Sequence, residues 1–149
     1  MEKGVATDVI IIDFEKAFDR VNHSLLVHKL DHYGIRGRTN SWIANFLSDR
    51  KQAVVVNGAQ SSYVNVRSGV PQGTILGPSL FLTYINDLPK KISSPSRLSA
   101  DDTAVYRLIA CPADPVKLQE GPRQVGRLGA RVGHGFSPRQ VHPAALDTC

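Results

Sequence analysis

Two adjacent aspartates stand within a stretch, residues 97–109, whose other members are mostly strand formers. Aspartate is depleted in strands and favoured in turns, and two neighbouring carboxylates repel each other. The pattern therefore predicts a hairpin with Ala100, Asp101 and Asp102 at its turn. It also requires something that offsets the repulsion between the two acids.

A third acid ends the most apolar run of the chain. The run VIIIDF, residues 9–14, is short and β-branched, which favours a strand buried on both faces, and Asp13 lies near its end. If this strand pairs with the hairpin, the carboxylates of Asp13, Asp101 and Asp102 converge at one edge of a sheet. Mg²⁺ prefers such oxygen ligands, and two such ions would stabilise both oxygens of a phosphoryl displacement. From the residues alone, a solvated turn and an ordinary strand-end acid remain the alternatives.

Helical and hairpin patterns fill the chain between these acids. Apolar residues recur at helical spacing in residues 24–34, 39–50 and 79–89, which predicts three amphipathic helices. Residues 52–69 predict a second hairpin around Asn57-Gly58, and a loop rich in glycine and proline follows. The sequence therefore predicts an α+β fold.

Composition limits the classes of function. The net charge of +5 permits a polyanionic partner such as nucleic acid without requiring one. No apolar run is long enough for a membrane span, and the first residues lack the apolar core of a secretory signal. The 2 cysteines have neither metal-ligand spacing nor a disulfide framework. We therefore expect an intracellular protein that has no membrane partner; its oligomeric state stays open.

The last part of the chain is rich in helix breakers. Residues 111–149 hold 5 of the 12 glycines and 5 of the 9 prolines. In a helix interior each glycine costs about 1 kcal/mol and each proline about 3 kcal/mol relative to alanine. We expect an ordered domain over residues 1–110, followed by a poorly ordered tail over residues 111–149.

Three segments together resemble a known family. In order, DFEKAFDRVNH (13–23), SGVPQGTILGP (68–78) and ADDTAVYR (100–107) are similar to palm motifs A, B and C of reverse transcriptases. The resemblance is strongest to the polymerases of non-LTR (LINE-type) retrotransposons, and it covers residues 8–110. It implies an RNA-directed DNA polymerase with a palm-like antiparallel sheet packed against amphipathic helices.

The resemblance also implies the substrates and cofactors. An RNA template, a DNA primer and deoxynucleoside triphosphates would be the partners. Two Mg²⁺ ions, replaceable by Mn²⁺, would be the cofactors. A nuclear location is implied by analogy with the family alone.

Roles for single residues follow from the same resemblance. Asp13 and Asp101 would bind the metal ions, and Asp102 would be the second acid of motif C. Phe14 would offer its backbone carbonyl near the metals, and Phe18 would exclude a ribose 2′-hydroxyl.

Motif B would contact the nucleotide. Gln72 and Gly73 would line the incoming nucleotide and its template base. The remaining motif positions, without a chemical role of their own, are Ser68, Gly69, Pro71 and Ala100.

The sequence also departs from the family pattern. Ser99 stands where the family has an aromatic residue. The chain begins at the first palm strand, so the fingers and the endonuclease are expected to be absent. The thumb, which would follow the segment after motif C, is expected to be absent as well. Residues 111–149 resemble a degenerate form of the segment after motif C. These departures favour a weak or inactive chain. A non-catalytic nucleic-acid-binding module, a pseudogene-derived product and an aspartate-based metal nuclease are the alternatives.

Overall fold

The computed structural model describes residues 6–99, 102–132 and 136–139, so Ala100 and Asp101 lie outside the described residues. These residues form two units. One unit comprises the described parts of Met1–Ala17 and Ile85–Cys149, and the other is Phe18–Tyr84.

The described residues form both helices and strands. The helices are α1 (His23–His32), α2 (Gly37–Leu47), α3 (Leu76–Ile85) and α4 (Asp114–Val132), with 3₁₀ turns at Ala17–Arg20 and Pro89–Lys91. The strands are β1 (Ala6–Phe14), β2 (Lys51–Gln52), β3 (Val55–Val56), β4 (Ala59–Gln60), β5 (Val64–Asn65), β6 (Ser96–Ser99), β7 (Asp102–Ile109) and β8 (Phe136–Arg139). The predicted combination of helices and antiparallel strands is confirmed.

The first unit is built on a four-stranded antiparallel sheet with the order β6-β7-β1-β8. The β1–β7 register runs from Ala6 opposite Ile109 to Asp13 opposite Asp102. The first strand therefore pairs with the late hairpin, which is the condition under which the sequence places Asp13 beside the acids of that hairpin. In that hairpin, Ser99 of β6 lies opposite Asp102, which is the first residue of β7 rather than a turn residue.

Strand β1 is buried on one face only, although its apolar run predicts burial on both. Ile10, Ile12 and Phe14 alternate as buried residues, whereas Asp13 is exposed. Helix α4 packs against β1 and β7. Because opposite residues share a face, Val105 of β7 joins Ile10 in this core.

The structure has a 19-residue helix, α4, where the density of breakers predicts weak order. Its Leu118 and Val125 are buried, and this burial offsets the unfavourable propensities of the helix. Gly121 serves the packing, because a Cβ atom there would lie 2.8 Å from Cγ1 of Val105. The boundary that we place at residue 110 stays a prediction.

The start of α4 is fixed by the Asp114 carboxylate. It accepts hydrogen bonds from the backbone N–H groups of Cys111 (3.0 Å) and Ala110 (3.1 Å), from the Cys111 thiol (3.3 Å) and from Arg107 Nε (3.1 Å). These hydrogen bonds hold the pKa of Asp114 well below its ordinary value; the largest contributions come from the Cys111 N–H and thiol, followed by Arg107 and the Ala110 N–H. The tight loop between β7 and α4 thus depends on a charged carboxylate.

The second unit contains the three predicted helices and two small hairpin-like sheets. Strands β3 and β4 pair around Asn57-Gly58, as predicted, and β2 pairs with β5 outside them. The core of this unit is apolar; its fully buried members include Val21, Leu26, Leu30, Leu47 and Phe81.

Part of the second unit is unusually apolar on its surface. The side chains that are 59–67% exposed there are Val54, Val55, Val56, Tyr63 and Val64. No helix among the described residues is both long and apolar enough to cross a membrane.

Replacing Gly121 tests the packing of α4. Gly121→Ala should destabilise the chain by about 1 kcal/mol or more, because overpacking against Val105 exceeds the gain in helix propensity. Gly126→Ala is the matched control, since its added Cβ would meet no atom within 4 Å and should stabilise the helix by up to about 1 kcal/mol. Urea denaturation measures both; equal effects would contradict the close contact.

Acid should weaken the loop that Asp114 holds. A carboxylate whose folded-state pKa is lowered stabilises the fold fully above its ordinary value of 3.8, and this contribution is lost as the pH falls below it. Asp114→Asn should therefore be less stable than the wild type at neutral pH, and the difference should narrow between about pH 4 and pH 2. Denaturation midpoints across that range measure it; a pH-independent difference would refute the role of the charge.

Candidate active site

Two of the predicted catalytic acids face each other across the sheet of the first unit. Asp13 and Asp102 are direct partners in the β1–β7 register, and both are exposed. The side chains of direct partners project from the same face, with Cβ atoms about 4.5–5.5 Å apart. Two carboxylates at this distance repel each other. A divalent cation bound between them would attract both and so offset the repulsion.

The donor set fits a hard cation. Carboxylate oxygens on adjacent strands are the ligands that Mg²⁺ prefers, although no group of three or more His, Cys, Asp or Glu side chains that could hold a metal occurs within the described ranges. The third predicted acid, Asp101, lies outside those ranges and directly precedes Asp102 in the chain. The Phe14 side chain is buried in the core, and the role of its backbone carbonyl at a metal stays a prediction.

The residue that departs from the family pattern lies beside this acid pair. Ser99 is exposed and is the partner of Asp102 on the strand opposite to β1. Asp13, Asp102 and Ser99 therefore form one row across three strands. A large ring at position 99 would cover the end of this row, and the serine leaves it open.

In the second unit, the predicted motif B loop is fixed to the end of motif A by backbone hydrogen bonds. The Gly69 N–H donates to the Val21 carbonyl, and the Val70 N–H donates to the Phe18 carbonyl, each over 2.8 Å. The structure thus brings together two segments that lie about fifty residues apart in the sequence.

Gly69 makes this close approach possible. Its φ is +90°, in the left-handed region that favours glycine. A Cβ at this position would lie 2.7 Å from Cα of Asp19 and 2.8 Å from the carbonyl oxygen of Phe18. Neither atom belongs to a flexible side chain, so a larger residue would force the two segments apart.

Asp19 joins the motif B loop to motif A, a contact that the sequence reasoning missed. Its carbonyl accepts a hydrogen bond from Ser68 Oγ (2.8 Å), and its carboxylate accepts one from Gln72 Nε2 (3.2 Å). The side chain predicted to meet the nucleotide is therefore oriented by an acid of motif A. The sequence did not indicate this contact, because the partners of Asp19 are about fifty residues distant in the chain.

The predicted gate residue is also held in place. The Phe18 ring stacks on the buried Phe81 ring, with centroids 4.6 Å apart and an angle of 25° between the planes. Gly73 is exposed and has a φ of +74°, so its backbone is open to close approach by a ligand. Pro71 ends the docked part of the loop, where its carbonyl accepts a hydrogen bond from Thr74 Oγ1 (2.8 Å).

The sequence is similar to known proteins over most of its length. Residues 2–133 match the model of the family described as reverse transcriptase (RNA-dependent DNA polymerase). Among curated proteins, the chain is 30% identical to a retrovirus-related Pol polyprotein from the type-1 retrotransposable element R2 of Popillia japonica, over 61% of this chain and 15% of that protein.

Two further relatives come from Drosophila. The RNA-directed DNA polymerase from the mobile element jockey of Drosophila funebris is 33% identical over 61% of this chain and 10% of its own length. The probable RNA-directed DNA polymerase from transposon X-element of Drosophila melanogaster is 33% identical over 70% of this chain and 12% of its own length. The chain thus spans only a small part of the relatives that it matches.

Substituting Gly69 tests the docking of the motif B loop. Gly69→Ala should lower the free energy of unfolding by about 2–5 kcal/mol, because a left-handed backbone and a backbone clash act together. The control is Gly58→Ala, whose φ of +82° is also left-handed but whose Cβ would meet nothing within 4 Å, so it should lose only about 1–2 kcal/mol. Chemical denaturation measures both, and similar losses would show that the clash is absent.

Proposed function

Because the chain belongs to the reverse transcriptase family, in its non-LTR (LINE-type) branch, we propose that it carries the metal-binding acids of an RNA-directed DNA polymerase. The observation that carries the proposal is the direct pairing of Asp13 with Asp102 on one face of the sheet. Without a bound cation, two like charges directly opposite each other destabilise the sheet. A cation bound between the two carboxylates offsets that repulsion.

The acids have separate roles in this proposal. Asp13 and Asp101 bind the metal, Asp102 supports them from the neighbouring strand position, and Phe14 contributes its backbone carbonyl. When bound, two Mg²⁺ ions, or Mn²⁺ in their place, stabilise the attacking and the leaving oxygen of a phosphoryl displacement. The protein's own contribution is to hold the carboxylates at a fixed spacing on two hydrogen-bonded strands, so that little reorganisation is needed.

The second unit provides the residues that we assign to the nucleotide. Gln72 and Gly73 contact the incoming deoxynucleoside triphosphate and its template base. Asp19 supports this assignment, because its hydrogen bond to Gln72 fixes the amide before any ligand binds. The stacking of Phe18 on Phe81 likewise fixes the ring that excludes a ribose 2′-hydroxyl.

The architecture that we propose is the palm. The antiparallel sheet β6-β7-β1-β8, with α4 packed against β1 and β7, is the part that carries motifs A and C. RNA as template and DNA as primer are the corresponding substrates, and a nuclear location goes with them by analogy. Residues 111–149 are the degenerate counterpart of the segment after motif C.

We also propose that the 149-residue chain is a feeble polymerase by itself. Ser99, opposite Asp102, leaves the row of acids uncovered where the family has an aromatic ring. Positioning contributes much of the rate of phosphoryl transfer, so a looser primer end lowers turnover.

Metal-dependent stability tests the acid pair directly. Mg²⁺ should raise the melting temperature of the wild type, because the ion relieves the repulsion between Asp13 and Asp102. Asp13→Asn and Asp102→Asn should each be more stable than the wild type without Mg²⁺ and should respond weakly to it. Asp31→Asn, on the exposed surface of α1, is the control for loss of one charge and should respond as the wild type does.

Primer extension on an RNA template tests the activity under the same conditions. Incorporation of deoxynucleotides should fall by about 100-fold or more in Asp13→Asn and Asp101→Asn, and should be unchanged in Asp31→Asn. Incorporation that survives both substitutions would contradict the assignment. Nucleic-acid binding with neither incorporation nor a response to Mg²⁺ would favour the non-catalytic module, and a non-cooperative melt would favour a pseudogene product.

A further inference from the structure

The second unit contains a basic cleft that has no role in the functions assigned above. It has a volume of about 500 Å³, and three cationic side chains line it: Arg50, Lys51 and Arg67. His23 and Asp49 are the other titratable residues of its wall. Three cationic side chains therefore line the cleft together with one carboxylate.

Short strands hold the cations around the cleft. In the β2–β5 pair Lys51 lies opposite Asn65, and the Val66 N–H donates to the Arg50 carbonyl over 2.8 Å. Lys51 thus belongs to β2, Arg50 directly precedes this strand, and Arg67 lies two residues beyond the end of β5. The pairing of the two strands brings the chain segments that carry the three cations next to each other.

Two of these cations have no partner within the described part of the chain. The Lys51 ammonium and the Arg67 guanidinium are exposed and form no hydrogen bond or ion pair with any described group. Arg50, by contrast, is half-buried, and its Nη1 donates to the Gly69 carbonyl over 3.3 Å. The cleft thus offers two unpaired charges beside one anchored arginine.

We propose that this cleft binds phosphates of the backbone of a single nucleic-acid strand. Guanidinium groups bind phosphate oxygens through paired N–H donors, and an ammonium adds a compact charge. A cleft of about 500 Å³ that three cations line has room for more than one phosphate, and it therefore suits successive phosphates of a strand better than one small anion. The choice of nucleic acid as the polyanion rests on the proposed function, whereas the cation cluster itself does not.

The cleft is connected to the motif B loop through one backbone carbonyl. His23 Nε2 donates to the Gly69 carbonyl over 2.8 Å, and Arg50 donates to the same oxygen. A nucleic-acid strand bound at Arg50 would therefore be connected, through the Arg50–Gly69 hydrogen bond, to the loop that carries Gln72. Binding in the cleft would stabilise the docked position of that loop.

Binding of labelled oligonucleotides to the full chain tests the proposal. Fluorescence anisotropy with 12-nucleotide oligo(dT) and oligo(U), in EDTA and over a series of salt concentrations, gives the affinity and its salt dependence. The double variant Lys51→Gln/Arg67→Gln should bind both strands about tenfold or more weakly, and its log–log salt slope should be smaller by about 1.4, for two lost phosphate contacts.

A matched variant removes the same two charges elsewhere. Arg38→Gln/Lys90→Gln changes one exposed arginine and one exposed lysine outside the cleft, and it should keep the affinity and salt slope of the wild type. The exchange Lys51→Arg/Arg67→Lys preserves the charges and should retain binding. Thermal melts of all variants establish that each is folded.

Two results would overturn the proposal. Equal weakening in both double variants would show that only net charge matters. Inorganic phosphate or a deoxynucleoside triphosphate could also displace the oligonucleotide when each supplies the same concentration of phosphate groups as the oligonucleotide does. That result would show that the cleft is a site for small anions. Because EDTA removes any divalent cation, these outcomes are independent of whether Asp13 and Asp102 bind metal or support polymerisation.

Discussion

The antiparallel pairing of β1 with β7 is the interaction on which the rest of the first unit depends. Eight successive residue pairs fix the register, and a slip by one residue would move every side chain to the opposite face. The apolar alternation of β1 prevents such a slip, since Ile10 and Ile12 must remain on the face that α4 covers. The same constraint places Asp13 opposite Asp102, so the core specifies the position of the acids.

In the second unit, a glycine and an acid have the corresponding role. Gly69 allows the motif B loop to approach the Phe18-Asp19 backbone, and Asp19 then binds both Ser68 and Gln72. Hydrogen bonds set this geometry together with the burial of Val70 in the core. Residues with an exposed surface can thus be held in a fixed arrangement before any substrate is present, which is the property that a nucleotide site needs.

Local pattern was sufficient to predict the helices α1 to α3, the turn at Asn57-Gly58 and the late hairpin, whereas the pairing of the first strand with that hairpin was only a condition of the predicted acid cluster. It was insufficient where distant contacts decide the structure. Gly121 looks like a helix breaker in sequence, and only the proximity of Val105 shows it to be a packing residue. Asp19 was missed for a similar reason, because nothing near it in the chain indicates its partners. The roles assigned to all of the site residues remain predictions, and Asp101 and Ala100 in addition lie outside the described residues.

The short strands of the second unit have a consequence for how the protein behaves in concentrated solution. Their exposed valines and Tyr63 lie in and next to strands of only two residues each. Such a surface favours self-association through edge-to-edge pairing. Colloidal stability would therefore depend on the cations that flank these strands, and neutralising them with bound polyanions would bring separate molecules closer together.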